Sequence, residues 1–174
     1  IDVVDDEVIK ALIDDEAVEA HRRRCLNPEK PVIRGTAQNP DVFFQAREAA
    51  NVYYDNLPGI VSEMMDEFGK LTGRNYNLFE YSGHPEAERV IILMGSGVGA
   101  AEEAVNKLVA KGEKIGYINV RLYMPFYTKD FFAALPKTVN KIAVLDRTKE
   151  PGSLGEPLYQ SVVNAFMEER LNGS

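Results

Sequence analysis

Two segments of the chain carry the residue types from which proteins build ligand sites. The first, residues 95–100, reads GSGVGA and fits the GxGxxA form of a dinucleotide-binding loop. In such a loop the glycines let a phosphate approach the backbone, and the N–H groups of the following helix stabilise its charge. The candidate nucleotide-binding residues are Gly95, Ser96, Gly97 and Gly99, together with Arg121 further along the chain.

The same glycines also have a structural interpretation, because a tight turn from strand to helix needs glycine without any ligand. A dinucleotide site further requires an acidic residue about twenty positions on to bind the ribose. This chain has Asn119, Val120 and Arg121 there, and Arg121 suits a ribose phosphate instead. The structural turn is favoured, and an NADP-like nucleotide module stays open as the alternative.

The second segment, residues 146–152, reads DRTKEPG and follows another apolar run. Open α/β sheets bind ligands at the carboxyl ends of their strands. These charges therefore indicate a ligand site, a salt-bridged contact with another domain, or solvated surface. Because glycine and proline shape this part of the chain closely, we favour a contact with another domain or protein. The interface candidates are Asp146, Arg147, Lys149 and Glu150.

Composition restricts the other possible chemistries. The 174 residues carry a formal net charge of −7, so we expect neither nucleic acid nor a membrane as partner. The single cysteine, Cys25, excludes an intrachain disulfide framework and a Cys-ligated zinc or iron–sulfur site made by this chain alone. We expect a helix-packing role for Cys25, a surface position for His21 and an exposed turn for His84. Neither catalytic nor metal-binding residues are predicted.

The hydrophobic pattern indicates which elements position the two segments. The apolar run at 89–94 predicts a strand buried on both faces. Further strands are predicted at 115–120 and 141–145, and the short aromatic run with Leu78, Phe79 and Tyr81 suits an edge strand. Helices alternate with these strands, which is typical of βαβ units. The sequence therefore predicts a three-layer α/β/α fold with a mainly parallel sheet and helices on both of its faces.

The residues before the sheet are predicted to be helical. Two short helices precede an extended connector at residues 28–38, and Asn39-Pro40 then begins a longer helix. We expect Pro58-Gly59 to break that helix before another at 60–72, with both packed beside the sheet. The predicted division is a helical lead-in over 1–38 and an α/β domain over 39–174, with a helical entry at 39–75 and the sheet region at 76–174.

The lead-in is too short to form a core of its own. Helices below about 12–15 residues are marginal in isolation, so their apolar side chains must lie against another surface. That surface is predicted to be residues 40–72 or a neighbouring copy of the chain. The residues concerned are Val8, Ile9, Leu12 and Val18.

Several segments, in register over nearly the whole chain, match one known family. They include RGTAQNPD at 34–41, LTGR at 71–74, KGEKIG at 111–116, FFAALP at 131–136 and VLDRTKEPG at 144–152. With these segments the chain resembles the pyruvate:ferredoxin (flavodoxin) oxidoreductase family. The resemblance implies the end of the first domain and most of the second, which has a fold like the transketolase C-terminal domain.

The resemblance also implies a function for the longer parent enzyme. That enzyme oxidatively decarboxylates pyruvate with coenzyme A, giving acetyl-CoA, CO2 and reduced ferredoxin or flavodoxin. Its thiamine diphosphate, magnesium and [4Fe-4S] clusters are expected to be held outside this chain, which is expected to bind no cofactor and to be inactive alone. The expected partners are the other domains, a second copy in a homodimer, and ferredoxin or flavodoxin, and the expected location is the cytoplasm.

A piece of a longer protein is expected from two features. The chain begins at Ile1 without a signal-peptide pattern, and the family's second domain continues with another strand. We therefore expect the sheet to be incomplete or to be completed by another chain. A general protein-interaction domain remains a further alternative.

Overall fold

The computed structural model of the chain describes residues 3–33, 35 and 37–173. Arg34 and Thr36, from the segment at 34–41, lie outside the described residues, as does Ser174. The chain divides into two compact units, Ile1–Asn75 and Tyr76–Ser174. Each unit is described by itself below.

Capping and proline placement explain the helices of the N-terminal unit. Asp14 accepts a hydrogen bond from the Ala17 N–H at 3.0 Å, and Pro40 occupies the first turn of the third helix. Gly73, with a φ of 73°, ends the fourth helix in the left-handed conformation. The described helices are α1 (Asp6–Leu12), α2 (Asp15–Arg23), α3 (Pro40–Glu48) and α4 (Asn51–Thr72).

The expectation that Pro58-Gly59 breaks a helix is wrong. α4 continues through both residues, and the interruption lies at residues 49–50 instead. A proline inside a helix removes one backbone donor and crowds the preceding turn. Pro58 is buried, and the apolar surface that it removes from water offsets part of this cost.

Part of the predicted contact between the lead-in and residues 40–72 is present. α1 lies against α4, and Val8 and Leu12 are half-buried. Ile9 is 46% exposed and Val18 is 36% exposed. The expected contact with residues 40–72 is therefore present for α1. Ile9 and Val18 are exposed within the chain, so for them contact with a neighbouring copy stays a prediction.

A four-stranded mixed sheet forms the centre of the C-terminal unit. The strand order is β1-β3-β2-β4, in which β2 is parallel to both of its neighbours and β1 is antiparallel to β3. This confirms the α/β fold with a mainly parallel sheet. The strands are β1 (Phe79–Gly83), β2 (Arg89–Leu93), β3 (Ile115–Val120) and β4 (Lys141–Val144), and the helices are α5 (Val98–Val109), α6 (Thr128–Ala134) and α7 (Pro157–Leu171).

Helices cover both faces of this sheet. The connections from β2 to β3 and from β3 to β4 run in opposite directions across the sheet. Right-handed crossovers therefore place α5 on one face and α6 on the other. α7 lies beside α6, since the rings of Phe132 and Phe166 meet edge to face with centroids 4.9 Å apart.

The alternating side chains of β2 supply the core on both faces. Leu93 packs with Val105 of α5 and Tyr117 of β3. Ile92 points to the opposite face and has no exposed surface. The predicted strand buried on both faces is thus confirmed for β2. β4 differs, because Lys141, Ile142 and Ala143 are exposed where it forms the outer edge of the described sheet.

The other edge of the sheet depends on a pair of glycines. Gly83 of β1 lies opposite Gly116 of β3, and the Tyr81 ring covers Gly116. Gly83 has a φ of 138°, and a Cβ atom there would lie 2.6 Å from the Ile115 carbonyl oxygen. Only glycine fits this close approach of two strands.

We expect Gly83→Ala to destabilise the C-terminal unit by about 1–3 kcal/mol, because it combines a strained backbone with a clash against β3. Urea denaturation followed by circular dichroism measures the change. Gly99→Ala is the matched control: a Cβ atom at Gly99 in α5 meets nothing within 4 Å, so it should be neutral or stabilising. Equal stability of the two variants would contradict this account of β1.

Candidate functional site

The parallel pairing of β2 with β4 brings the two segments singled out in the sequence to one edge of the sheet. Ile92 is in register with Val144, so the chain leaves both strands at neighbouring points. A 3₁₀ turn at Gly95–Gly97 follows β2, and residues 146–152 follow β4. β3 lies on one side of β2 in the sheet, and β4 lies on the other side. α/β proteins bind ligands at such reversals of strand order.

Backbone geometry requires only one of the three glycines after β2. Gly95 has a φ of 76°, in the left-handed region. Gly97 is in the right-handed helical region, where a Cβ atom would make an ordinary 3.6 Å contact with Leu93. Gly99 has open space around it. The structural interpretation therefore explains Gly95, and the turn does not require glycine at the other two positions.

A hydrogen bond joins the two segments. The Arg147 guanidinium donates from Nη1 to the Ser96 Oγ at 2.9 Å. Across the described ranges, no carboxylate lies within ion-pair distance of Arg147. Beside this contact is an apolar cavity of about 400 Å³. Its apolar walls are Ile91, Leu93, Met94, Ala100, Ala101 and Leu145.

The structure does not bring Arg121 to the glycine turn. Its Nε and Nη2 atoms donate to Glu80 Oε2 at 3.0 and 2.5 Å, and its guanidinium lies 4.4 Å from the centroid of the Tyr76 ring. These partners belong to the β1 side of β3, whereas the turn follows β2. Arg121 thus already has a carboxylate partner away from the glycines, which removes one support of the nucleotide alternative.

The charged groups after β4 bind mostly to their own unit. Asp146 Oδ2 accepts a hydrogen bond from the Tyr159 N–H at 3.2 Å and so caps α7. Lys149 Nζ lies 2.7 Å from Glu156 Oε1, and the Glu150 N–H donates to Glu156 Oε2 at 2.6 Å. Three of the four interface candidates, Asp146, Arg147 and Lys149, therefore have side-chain partners within their own unit.

Glu156 is the residue at this site that the sequence analysis missed. Its two carboxylate oxygens hold the loop against the start of α7. The hydrogen bond from Lys149 lowers the pKa of its carboxyl group, and the Glu150 N–H acts in the same direction. The available signal was its place immediately before Pro157, which begins α7.

The remaining singled-out residues lie away from this edge. Cys25 is exposed after α2, and its Sγ donates to the His21 carbonyl oxygen at 3.5 Å, so the expected packing role is wrong. His84 is half-buried rather than exposed. Its Nδ1 accepts a hydrogen bond from the Glu86 N–H at 3.0 Å, and its carbonyl oxygen accepts one from the Tyr81 hydroxyl.

Neither a metal-ligand set nor a membrane-spanning helix is found in the part of the chain that the structure describes. No three His, Cys, Asp or Glu side chains are grouped there as metal ligands. None of the described helices combines the length and the apolar character needed to cross a lipid bilayer.

The hydrogen bonds that the Glu156 carboxylate accepts from Lys149 and from the Glu150 N–H should weaken as the solution becomes acidic. Because folding lowers the pKa of Glu156, its contribution to stability is present above the pKa of an unfolded glutamate, about 4.3, and is lost as pH falls through the lower folded value. NMR titration should show the Glu150 amide following this midpoint.

Two variants check the assignment of this titration. Glu156→Gln should abolish the Glu150 amide titration, and Glu169→Gln, also on α7, should leave it unchanged. A Glu156 midpoint at or above that of an ordinary glutamate would contradict the lowered pKa.

Two family models match the chain in tandem. Residues 1–66 match "Pyruvate flavodoxin/ferredoxin oxidoreductase, thiamine diP-bdg" and residues 87–172 match "Pyruvate:ferredoxin oxidoreductase core domain II". A likeness to the solved 2-oxoglutarate:ferredoxin oxidoreductase of Magnetococcus marinus covers 64% of this chain and 18% of that chain. Its TM-score is 0.41 at 22% identity, so it carries no argument.

Curated relatives align with nearly the whole chain. The pyruvate-flavodoxin oxidoreductase of Trichormus variabilis is 59% identical over 169 residues, covering 97% of this chain and 14% of the relative. The pyruvate:ferredoxin oxidoreductase of Moorella thermoacetica is 56% identical over 172 residues, covering 99% and 15%. The chain thus spans about one seventh of these relatives. From the tandem matches and these alignments, the chain belongs to the pyruvate:ferredoxin (flavodoxin) oxidoreductase family, as a segment with parts of two of its domains.

Proposed function

We propose that this chain is a non-catalytic structural part of an enzyme that oxidatively decarboxylates pyruvate with coenzyme A. The products are acetyl-CoA, CO2 and reduced ferredoxin or flavodoxin. The observation that carries the structural role is the local partnering of charges after β4. Asp146, Lys149 and Glu156 line a cavity of about 380 Å³, but the polar atoms of their side chains are bound by groups of their own unit.

We propose that other parts of the parent enzyme hold its cofactors, although residues 1–66 match the family model described as thiamine diphosphate-binding. We propose thiamine diphosphate with magnesium, and [4Fe-4S] clusters, as those cofactors. A cluster needs several thiolates and this chain has one cysteine. The described residues also offer no grouped acidic or histidine ligands for magnesium. No step of the reaction is therefore assigned to residues of this chain.

The proposed role is that of a rigid spacer for the cofactor-binding parts. The sheet is covered on both faces, and the loop after β4 is fixed to α7 through Asp146 and to the turn before α5 through Arg147. The proposed partners are the other domains, a second copy in a homodimer, and ferredoxin or flavodoxin. We place the enzyme in the cytoplasm and in anaerobic metabolism.

A nucleotide site is the second candidate. It is supported by the cavity of about 400 Å³ where strand order reverses, by Arg147 beside it, and by Gly97 and Gly99, which the turn does not need. Calorimetric titration of the chain with NADPH, NADH and coenzyme A separates the two candidates. Submicromolar binding that Gly97→Val abolishes would establish the nucleotide site, and no binding would favour the spacer.

We expect Asp146→Ala with Arg147→Ala in the full-length enzyme to weaken its assembly while the fold of 87–170 persists. The pair removes the cap of α7, worth about 1 kcal/mol, and the link to Ser96. Sedimentation, thermal melting and turnover are the measurements. Unchanged assembly with a selective loss of affinity for a small substrate would make the loop a binding site instead.

The 174-residue chain alone should turn over no pyruvate and bind neither thiamine diphosphate nor an iron–sulfur cluster. Isotopic exchange of CO2 into pyruvate and an optical spectrum test this, with the full-length enzyme as the positive control. Cluster bands or exchange by the isolated chain would show that catalytic residues lie in this segment.

A further inference from the structure

The apolar cavity beside the glycine turn lies where the chain leaves β2 and β4. Its volume of about 400 Å³ falls within the range of natural small-molecule sites. Leu93 is buried and forms its floor, whereas Leu145 is 51% exposed and lies on its open side. The nucleotide candidate rests largely on the glycines of the turn. The side chains of the cavity walls are a separate guide to the chemical class of ligand that fits.

The walls offer little to a polar ligand. Among the described residues that line the cavity, only Asp146 and Arg147 have polar side chains. A base and a ribose need several hydrogen-bonding partners, because polar groups left unpaired in an apolar cavity cost free energy of binding. A hydrocarbon chain has no such groups, and its removal from water is favourable. These walls therefore favour a ligand whose body is aliphatic.

Arg147 supplies a positive charge to the same cavity. Its Nη1 donates to the Ser96 Oγ at 2.9 Å, and its side chain makes no other hydrogen bond to residues 3–33, 35 and 37–173. A guanidinium has five N–H donors in a planar fork that matches the two oxygens of a carboxylate. Arg147 thus keeps donors for an anionic group. The bond to Ser96 orders the side chain in advance, so less conformational entropy is lost on binding.

The other charged group of the cavity, the Asp146 carboxylate, already has a partner. Its Oδ2 accepts a hydrogen bond from the Tyr159 N–H at 3.2 Å, in the first turn of α7. The positive end of the α7 dipole offsets part of this negative charge. Arg147 therefore determines which charge the cavity accepts, and that charge is negative.

We propose that this cavity binds a medium-chain aliphatic carboxylate. The hydrocarbon chain of the ligand lies against Ile91, Leu93 and Leu145, and its carboxylate accepts hydrogen bonds from the Arg147 guanidinium. This ligand class differs from the nucleotide of the second candidate function, and its binding does not depend on the structural role.

NMR titration of the 174-residue chain with hexanoate tests the proposal, with the shifts followed at the amides of residues 93–101 and 145–148. Acetate and hexan-1-ol are matched probes, because acetate lacks the chain and hexan-1-ol lacks the charge. We expect hexanoate to bind at least tenfold more tightly than either. From acetate through butanoate to hexanoate, affinity should rise about fourfold for each buried methylene. Equal affinity for hexanoate and hexan-1-ol, or no hexanoate binding at these residues, would overturn the proposal.

Two substitutions separate this site from unspecific binding. Arg147→Gln should weaken hexanoate binding at least tenfold and leave hexan-1-ol binding unchanged, because it removes the charge and keeps the cavity. Ala101→Leu places a larger side chain in the cavity wall and should weaken both ligands. Lys111→Gln is the matched control, since Lys111 lies beyond the other end of α5. Equal hexanoate affinity of the Arg147 and Lys111 variants, both folded by circular dichroism, would exclude the carboxylate contact.

A parallel titration with NADPH separates this proposal from the two candidate functions. If NADPH binds and hexanoate does not, the nucleotide candidate is supported and the carboxylate site is excluded. If neither binds, the carboxylate site is excluded while the structural role stands. If hexanoate binds and Arg147→Gln weakens it as expected, the cavity is a carboxylate site, whatever the Asp146 and Arg147 variants do to assembly of the full-length enzyme.

Discussion

The position of β2 between two parallel strands is the constraint from which the C-terminal unit is built. A parallel neighbour can be reached only by a connection that crosses a face of the sheet, so α5 and α6 must cover the two faces. Both sets of alternating side chains of β2 are then buried, Leu93 toward α5 and Ile92 toward α6. The same pairing directs the chain after β2 and after β4 to one edge.

At that edge the polar groups mainly fix the structure. Asp146 caps α7, Glu156 holds the loop through Lys149, and Arg147 reaches the turn before α5. These contacts hold three segments of the chain in one arrangement, which suits a part that must keep a fixed shape within a larger enzyme. Apolar side chains stay exposed to water at Leu154 in the loop and at Ile142 in β4. They are available for contacts with other surfaces.

The N-terminal unit exposes still more apolar surface than the C-terminal unit does, notably along α3. α3 buries none of its residues, and Phe44 is 65% exposed. Water-exposed aromatic side chains on a helix are typical of a surface that another part of a protein covers. Hydrophobic spacing predicted the helix correctly, but it gave no partner for its apolar residues. Pro58 shows the opposite case, in which burial allowed a helix to continue through a residue that usually ends it.

The amino-acid sequence by itself determined the strands, most of the helices and the family, because apolar periodicity, capping residues and motifs in register are local properties of the chain. It could not determine which charged groups meet. Arg121 pairs with Glu80 across 41 positions, and Arg147 bonds to Ser96 across 51. Such partners are set by strand order and register, which arise only when the whole sheet forms. Tertiary structure therefore decided that Arg121 lies away from the glycine turn and that Arg147 lies beside it.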